Sequence, residues 1–205
     1  NQEGGLRFEF PTGLSMELVT VDDKAYKHYY EMALPDRGGV APLDLDHYNF
    51  HSPDVERDAK FLRDVLDFKV SAVVGDWTEG AFMRKGDLHH DVAIFSHGRG
   101  PDDHAAHHHT GFVVSSVDHM TKIIDRVVQH GYRLELGIGR HFGGDNIFAY
   151  FKAPDGHRIE LVTQMTELDD NTPPVFVDNV EQAVSAWDED FTLPESWLET
   201  SGLVR

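Results

Sequence analysis

Residues 139–160 read Gly-Arg-His-Phe-Gly-Gly-Asp-Asn-Ile-Phe-Ala-Tyr-Phe-Lys-Ala-Pro-Asp-Gly-His-Arg-Ile-Glu, and this stretch decides the fold. An aromatic-rich strand enters a Pro-Asp-Gly turn, in which proline presets φ, aspartate closes the turn and glycine takes the positive φ. The strand that follows carries Glu160 between two apolar neighbours. A carboxylate buried there costs free energy unless it is paired or binds a metal ion. The hairpin therefore predicts a cation site, and 14 histidines are available to complete it.

The composition is that of a globular protein. With 205 residues, 40% hydrophobic and 26% charged, the chain can bury a core as one domain or two small modules. A net charge of −18 argues against nucleic acid and anionic membranes as partners. The absence of cysteine excludes disulfides, zinc–thiolate sites and iron–sulfur clusters. With no long apolar run and no signal peptide, we expect a cytoplasmic protein.

A unit of one strand, one helix and three strands occurs twice. In the first copy, the strands are expected at 45–51, 68–74, 80–84 and 90–95, and Ser52 caps a helix that begins at Pro53. In the second copy, the strands are expected at 108–114, 132–136, 147–151 and 158–163, and the helix at 117–130 ends before Gly131. Neither βαβββ unit can bury its sheet alone. We expect an α+β fold in which the two modules pair into a partly closed, cup-shaped sheet with helices outside.

The expected domain organisation has four parts. Residues 1–20 form a hairpin, interpreted as a remnant of a preceding module of the same fold, with an edge of this domain as the alternative. Residues 21–42 form a linker with a short helix, and residues 43–165 form the catalytic domain, with modules at 43–98 and 107–165. The tail, 166–205, carries apolar residues and is expected to pack back over the domain. Those residues are Trp187, Phe191, Trp197 and Leu203.

Three motifs in this domain resemble those of one enzyme family. They are the Gly139-x-His141 block with Tyr150 and Glu160, the strand Leu45-Asp46-His47-Tyr48-Asn49, and the strand His108-His109-Thr110-Gly111-Phe112. Residues 43–165 thereby resemble the type I extradiol catechol dioxygenases of the vicinal oxygen chelate superfamily. Ala149 departs from the pattern, because a larger aliphatic residue usually precedes the tyrosine.

The resemblance implies a metal site made by His47, His109 and Glu160. Two imidazoles and one carboxylate form a facial triad that selects non-haem Fe(II), with Mn(II) as a second possibility, and leaves coordination positions open. Those positions would take a catechol and O₂, the two expected substrates. His108 remains the alternative to His109 at this point.

The same resemblance implies further roles around the metal. His90 would be the acid–base group of the pocket, with His89 as the alternative, since histidine titrates near working pH. His141 and Tyr150 would hydrogen-bond the substrate oxygens, and Asn49 would shape the O₂ side. We also expect a homo-oligomer, of a size that the sequence does not determine.

Two other functions compete with ring cleavage. A glyoxalase-like lyase or isomerase of the same superfamily commonly has a fourth protein ligand on the last strand of the first module, where this chain has no glutamate. A non-catalytic binding protein would not need the Gly-x-His and Pro-Asp-Gly motifs at their spacing. Within the dioxygenase interpretation, Leu136 stands where relatives that cleave carboxylated catechols have arginine. Residues 179–197 also contain no lysine or arginine, so a neutral catechol is expected.

Overall fold

The computed structural model describes residues 5–19, 40–98 and 103–200. Its strands are Leu6–Glu9 (β1), Ser15–Leu18 (β2), Asp44–Ser52 (β3), Lys69–Val74 (β4), Gly80–Arg84 (β5), Val92–Ser96 (β6), Ala106–Val113 (β7), Leu134–Arg140 (β8), Ile147–Lys152 (β9), Arg158–Thr163 (β10) and Val175–Val177 (β11). Its α-helices are Val55–Leu66 (α1), Val117–Gln129 (α2) and Val180–Val184 (α3), and a 3₁₀ helix spans Glu195–Leu198. The predicted linker up to residue 39, and Leu203, lie outside the described residues.

One mixed sheet of nine strands joins the two modules. The strand order is β11-β4-β5-β6-β3-β7-β10-β9-β8. The first module supplies β3 to β6 and the second supplies β7 to β10, and they meet where β3 pairs antiparallel with β7. Within each module the first and last strands pair in parallel, β3 with β6 and β7 with β10. The predicted α+β fold of two βαβββ units is thus confirmed.

Helix α1 begins two residues later than predicted, because its N-cap is Asp54 and not Ser52. The Asp54 side chain accepts a hydrogen bond from the backbone N–H of Arg57 at 3.1 Å. The hydroxyl of Ser52 has other partners: it donates to Asp58 at 2.7 Å and accepts from the backbone N–H of Asp54 at 3.0 Å. Since Ser52 belongs to the end of β3, the helix starts only after Pro53 and Asp54.

Two strands of the modules, β6 and β8, start two residues later than predicted. Asp91 closes the turn before β6 by accepting hydrogen bonds from the backbone N–H groups of Lys85 and Gly86, so β6 begins at Val92. At the end of α2, the backbone N–H of Tyr132 still bonds to the helix, so β8 begins at Leu134. His90 therefore lies in a loop and not in a strand.

The hairpin β1-β2 covers the outer side of the first module. Phe8 and Phe10 contact Phe61 of α1, and Phe10 also contacts Phe50 of β3. Among the described residues, β1 pairs only with β2, so the hairpin is not an edge of the large sheet. Its origin in a preceding module stays a prediction. Within the same part of the chain, none of the helices has the length and apolarity needed to cross a lipid bilayer.

Candidate metal centre

His47, His109 and Glu160 come together on three neighbouring strands of the sheet, β3, β7 and β10. The carboxylate oxygen Oε2 of Glu160 lies 2.8 Å from Nε2 of His47 and 3.1 Å from Nε2 of His109. The two imidazole Nε2 atoms are 3.3 Å apart. All three residues are buried. One nitrogen or oxygen from each of three neighbouring strands thus faces a common point.

The spacing of these donor atoms fits a divalent metal ion. Imidazole nitrogens and carboxylate oxygens bind such ions at about 2.0–2.2 Å. Three donors that meet an ion at right angles are then about 3 Å apart, as expected of a facial triad. The observed separations of 2.8, 3.1 and 3.3 Å agree with this arrangement. We therefore assign these residues as a candidate divalent-metal site.

A local irregularity in β3 brings His47 to this point. The pairing of β3 with β7 shifts register between Leu45 and Tyr48. His47 then lies against Gly111 of β7, where an added Cβ would come within 2.4 Å of the imidazole. Its Nδ1 lies 2.7 Å from Oδ1 of Asp46, which fixes the ring with Nε2 toward Glu160. Gly111 thus provides space for the ligand, and Asp46 provides its orientation.

The two histidines of the site differ in their protonation. Burial lowers the pKa of His47, but the charge of Glu160 and the hydrogen bond to Asp46 outweigh burial and raise it to about 10. Burial lowers the pKa of His109 to about 4. Burial alone would raise the pKa of Glu160, whereas His47 and hydrogen bonds from the neighbouring histidines hold it well below its usual range. At neutral pH His47 is therefore a charged imidazolium, His109 is a neutral imidazole and Glu160 is a carboxylate.

His90 and His89 are both buried, but only His90 lines the cavity over the metal site. The rings of His90 and His47 have centroids 4.4 Å apart. The Nδ1 atoms of His89 and His90 are 3.0 Å apart, so His89 contacts His90 without lining the cavity itself. Burial lowers the pKa of His90 well below its usual range, which keeps this imidazole neutral.

The other predicted site residues line the same cavity. Nε2 of His141 lies 3.0 Å from the hydroxyl of Tyr150 and 3.4 Å from Oε1 of Glu160. Asn49 is 1% exposed, and its Oδ1 has no hydrogen-bond partner in the structure. These side chains present polar atoms to the space beside the triad.

A roof formed by α3 and the 3₁₀ helix lies over this cavity. Ala183 and Val184 line it from α3, and Trp197 lines it from the 3₁₀ helix. The Trp197 ring contacts that of Tyr150 at a centroid distance of 4.9 Å. Trp187 was another apolar residue of the tail that was expected to pack over the domain. It is 62% exposed, because its ring faces the guanidinium of Arg140 and not the core.

Arg158 holds the roof in place. Its guanidinium is buried and donates to the backbone carbonyls of Ser196 and Glu199 at 2.8 and 2.9 Å. It also forms a two-pronged ion pair with Glu135, with N–O distances of 2.7 and 2.8 Å. The burial of this charge is thereby compensated. Arg158, which directly follows the Pro-Asp-Gly-His turn, thus links the C-terminal tail to β10.

The cavity is narrow and mostly apolar away from the triad. Its free volume is about 20 Å³, roughly the space of one water molecule. The apolar wall consists of Phe82, Ala93, Phe95, Ala183, Val184 and Trp197. Neither lysine nor arginine lines the cavity in the part of the chain that the structure describes. A catechol bound in this cavity would therefore meet no lysine or arginine of the described chain.

Three residues that contact the ligands or fix the roof were missing from the predicted site: Asp46, Gly111 and Arg158. His108 was considered only as the alternative to His109 as the ligand on this strand. Both His108 and His109 face inward, because the pairing of β7 with β3 shifts register between Asn49 and Phe50. A strict alternation along β7 would have turned one of them outward. Only His109 brings Nε2 to Glu160, which favours His109 over His108 as the ligand. A glycine two residues after a ligand was the one available signal for Gly111.

The position of a fourth ligand is occupied by Ala93. Glu160 pairs with Gly111, two residues after the ligand His109, and Ala93 pairs with Asn49, two residues after the ligand His47. Ala93 is therefore the counterpart of Glu160 in the first module. Since its methyl group cannot bind a metal, this side of the centre stays open.

Two paired βαβββ modules around a buried two-histidine, one-carboxylate centre define a metalloprotein of the vicinal oxygen chelate type. The chain belongs to the Glyoxalase/Bleomycin resistance protein/Dioxygenase superfamily, whose family model matches residues 44–161. It is homologous to extradiol ring-cleaving dioxygenases, and the triad of metal ligands is intact.

Individual relatives show both chemistries of this superfamily. A manganese-dependent 2,3-dihydroxybiphenyl 1,2-dioxygenase from Geobacillus genomosp. 3 is 27% identical over 128 residues, which are 60% of this chain and 40% of the relative. An extradiol ring-cleaving dioxygenase from B. fuscum superposes with a TM-score of 0.81 at 30% identity, over 96% of this chain and 55% of that one. A Mn(II)-bound glyoxalase from Novosphingobium aromaticivorans superposes with a TM-score of 0.79 at 29% identity, over 98% and 64%. The chain thus spans about two fifths to two thirds of these proteins.

Proposed function

We propose that this chain catalyses extradiol ring cleavage of a catechol by O₂. The observation that carries the proposal is the facial triad of His47, His109 and Glu160, which is open on the side of Ala93. In this reaction the aromatic C–C bond beside the two hydroxyl groups breaks, and both atoms of O₂ enter the product. No external reductant is needed. When bound, the metal ion supplies adjacent positions for the two catechol oxygens and for O₂.

His90 serves as the general base in this proposal. Its ring contacts that of His47 in a tilted arrangement, and its lowered pKa leaves it neutral, with one unprotonated nitrogen that can accept a proton. A catechol lying at the open side of the triad would place one hydroxyl near this imidazole. His90 would take the proton of that hydroxyl and later return it to the substrate as the ring opens.

Tyr150 and His141 orient the substrate from the opposite side. They are hydrogen-bonded to each other at 3.0 Å, and burial raises the pKa of Tyr150 well above its ordinary range. A tyrosine that keeps its proton remains a donor, so Tyr150 donates to a catecholate oxygen. Asn49 contributes polar atoms at the position proposed for O₂.

The proposed substrate is a neutral catechol with an apolar ring substituent. The wall away from the triad is formed by side chains such as Phe82, Phe95 and Trp197, and no fixed cation lines the described cavity. A carboxylate on the ring would lose its hydration there without gaining a partner, at a cost of several kcal/mol. An alkyl or aryl group would instead gain roughly 25 cal/mol per Å² of buried area.

The proposed metal is Fe(II), with Mn(II) as an alternative. Two imidazoles and one carboxylate are the donor set of non-haem Fe(II) oxygenases. Manganese is named in the relative from Geobacillus genomosp. 3. Both ions accept oxygen ligands at the open positions, so the donor set does not separate them.

Anaerobic reconstitution tests the reaction and the substrate together. The protein is loaded with Fe(II) or Mn(II), mixed with 3- and 4-alkyl or phenyl catechols, and exposed to O₂. We expect O₂ consumption and a yellow ring-opened product, with a higher kcat/KM for the apolar catechols than for homoprotocatechuate. A preference for homoprotocatechuate would contradict the proposed substrate, and metal-loaded protein that consumes no O₂ with any catechol would contradict the reaction.

A glyoxalase-like lyase or isomerase is the second candidate, favoured by the superposition with the Mn(II)-bound glyoxalase. Ala93 argues against it, because the fourth ligand common in such enzymes has no counterpart there. The two candidates differ in their need for O₂. Turnover of a thiol adduct of a 2-oxoaldehyde under strict anaerobiosis would establish the second candidate and exclude the first.

A further inference from the structure

His108 connects a metal ligand to the roof. Its Nδ1 lies 2.7 Å from Nδ1 of His109, and its Nε2 lies 2.8 Å from the backbone carbonyl oxygen of Trp197. The side chain is 1% exposed. It occupies this place because of the irregularity in β7, which points two consecutive histidines into the cavity. One imidazole therefore contacts the centre at one end and the roof at the other.

The proton positions along this path follow from the ligand. His109 faces Glu160 through Nε2, so a neutral His109 that binds metal through Nε2 carries its proton on Nδ1. That Nδ1–H then donates to Nδ1 of His108, which must hold a lone pair. The proton of His108 is consequently on Nε2 and donates to the carbonyl oxygen of Trp197. A protonated His108 would place two N–H groups against each other, 2.7 Å apart.

We infer that His108 is a positioning residue that couples closure of the roof to the metal centre. This inference rests on the metal site of the proposed function. A hydrogen bond from the outer nitrogen of a ligating histidine fixes its ring and raises its basicity. Here the acceptor of that bond is itself held by the roof, and Arg158 holds the same segment through Ser196 and Glu199. Metal binding therefore stabilises the closed roof, and by reciprocity the closed roof strengthens metal binding.

Two substitutions of His108 each remove one of its two hydrogen bonds and keep the other. In His108→Asn, the amide oxygen lies near the former Nδ1 and can accept from His109, but the donor to Trp197 is lost. In His108→Gln, the amide nitrogen lies near the former Nε2 and can donate to Trp197, but the acceptor for His109 is lost. His107→Gln is the matched control, because His107 is a buried neighbour on β7 that bonds to Thr110 and does not line the cavity.

The test uses Mn(II) and needs no turnover. Affinity is measured from the electron paramagnetic resonance of free Mn(II), and the roof is followed by hydrogen exchange of residues 195–199 with and without Mn(II). For His108→Gln we expect a loss of about 10–100-fold in affinity. For His108→Asn we expect affinity near that of the wild type and roof exchange faster by about fivefold, as for one lost hydrogen bond. Mn(II) should slow roof exchange in the wild type and in the control, but in neither His108 variant.

Three results would overturn the inference. They are wild-type affinity in His108→Gln, equal losses of affinity in both His108 variants, and the same slowing of roof exchange by Mn(II) in the variants as in the wild type. Circular dichroism of the metal-free proteins separates these outcomes from misfolding. If the wild type binds Mn(II) but cleaves no catechol, the proposed reaction fails while the coupling can still be measured.

Discussion

At corresponding positions of the sheet, the second module carries Glu160 and Tyr150 where the first carries Ala93 and Phe82. Each pair is adjacent in its own module, since Tyr150 pairs with Glu160 and Phe82 pairs with Ala93. The second module thus supplies a ligand and a hydrogen-bond donor, whereas the first supplies an apolar wall. The two modules therefore share an architecture but make different contributions to the site. Glu160 occupies one side of the candidate metal site, and Ala93 leaves the other side without a ligand, where the proposed substrates would bind.

Loss of the carboxylate should have the largest effect. Glu160→Ala removes the acidic ligand and leaves His47 and His109 without their shared partner. Tight metal binding should be lost, by more than the 10–100-fold typical of a partner outside the ligand set. His47→Ala and His109→Ala should have the same consequence. Metal content after anaerobic loading measures this.

A particular result at the neighbouring histidine would correct the ligand assignment. If His109→Ala kept its full metal content and His108→Ala lost it, the ligand on β7 would be His108. The buried triad would then need to rearrange around the other imidazole.

Making the first module resemble the second should block turnover. Ala93→Glu places a second carboxylate opposite Glu160, where it can fill the open side. We expect metal affinity to increase and ring cleavage to fall nearly to background, because the positions for catechol and O₂ are taken. Ala93→Gln is the control of equal size. If both variants lose activity but neither gains affinity, the added side chain blocks the cavity without binding the metal.

The proposed base should matter less than the ligands. His90→Phe keeps an aromatic ring in the loop before β6 but removes the acid–base group. We expect metal binding and catechol binding to persist while kcat falls about 10²–10⁴-fold. Metal titration and single-turnover kinetics separate these steps. A His90→Phe protein that binds no metal would make His90 a fourth ligand from the first module and favour the glyoxalase-like function.

Much of this asymmetry could be predicted from the sequence, because motifs at matched points of a duplicated unit locate their residues in three dimensions. His47 and Glu160 lie on predicted strands, and the Pro-Asp-Gly turn defines the register of β9 with β10. What could not be predicted depends on irregular backbone. The shifts of register in β3 and β7 decide that His108 and His109 both face inward and that His47 lies on Gly111.

The contacts that form the roof also could not be predicted from the sequence. Apolar residues in the tail indicated burial, but their pattern did not distinguish Trp197, which contacts Tyr150, from the exposed Trp187. The distinction depends on contacts distant in sequence, chiefly the bonds from Arg158 and His108 to carbonyls of the roof. Because every residue has a backbone carbonyl, the sequence of the roof does not show which of its residues accept these hydrogen bonds.

The smallest predicted effect concerns the additional proton that makes His47 an imidazolium before a metal ion binds. His47 is an imidazolium because its raised pKa, about 10, lies above neutral pH, whereas His109, with a pKa of about 4, is already a neutral imidazole and Glu160 is already a carboxylate. A metal ion must displace this proton, so raising the pH favours binding until the pH reaches the pKa of His47. Between about pH 6 and pH 8 the affinity for Mn(II) should rise by about tenfold per unit. Calorimetry in buffers of different ionisation enthalpy should show about one proton released per ion, and Asp46→Asn, which removes one cause of the raised pKa, should weaken the dependence. An affinity independent of pH would show that His47 is neutral before metal binds, and that Glu160 does not dominate the electrostatics of the site.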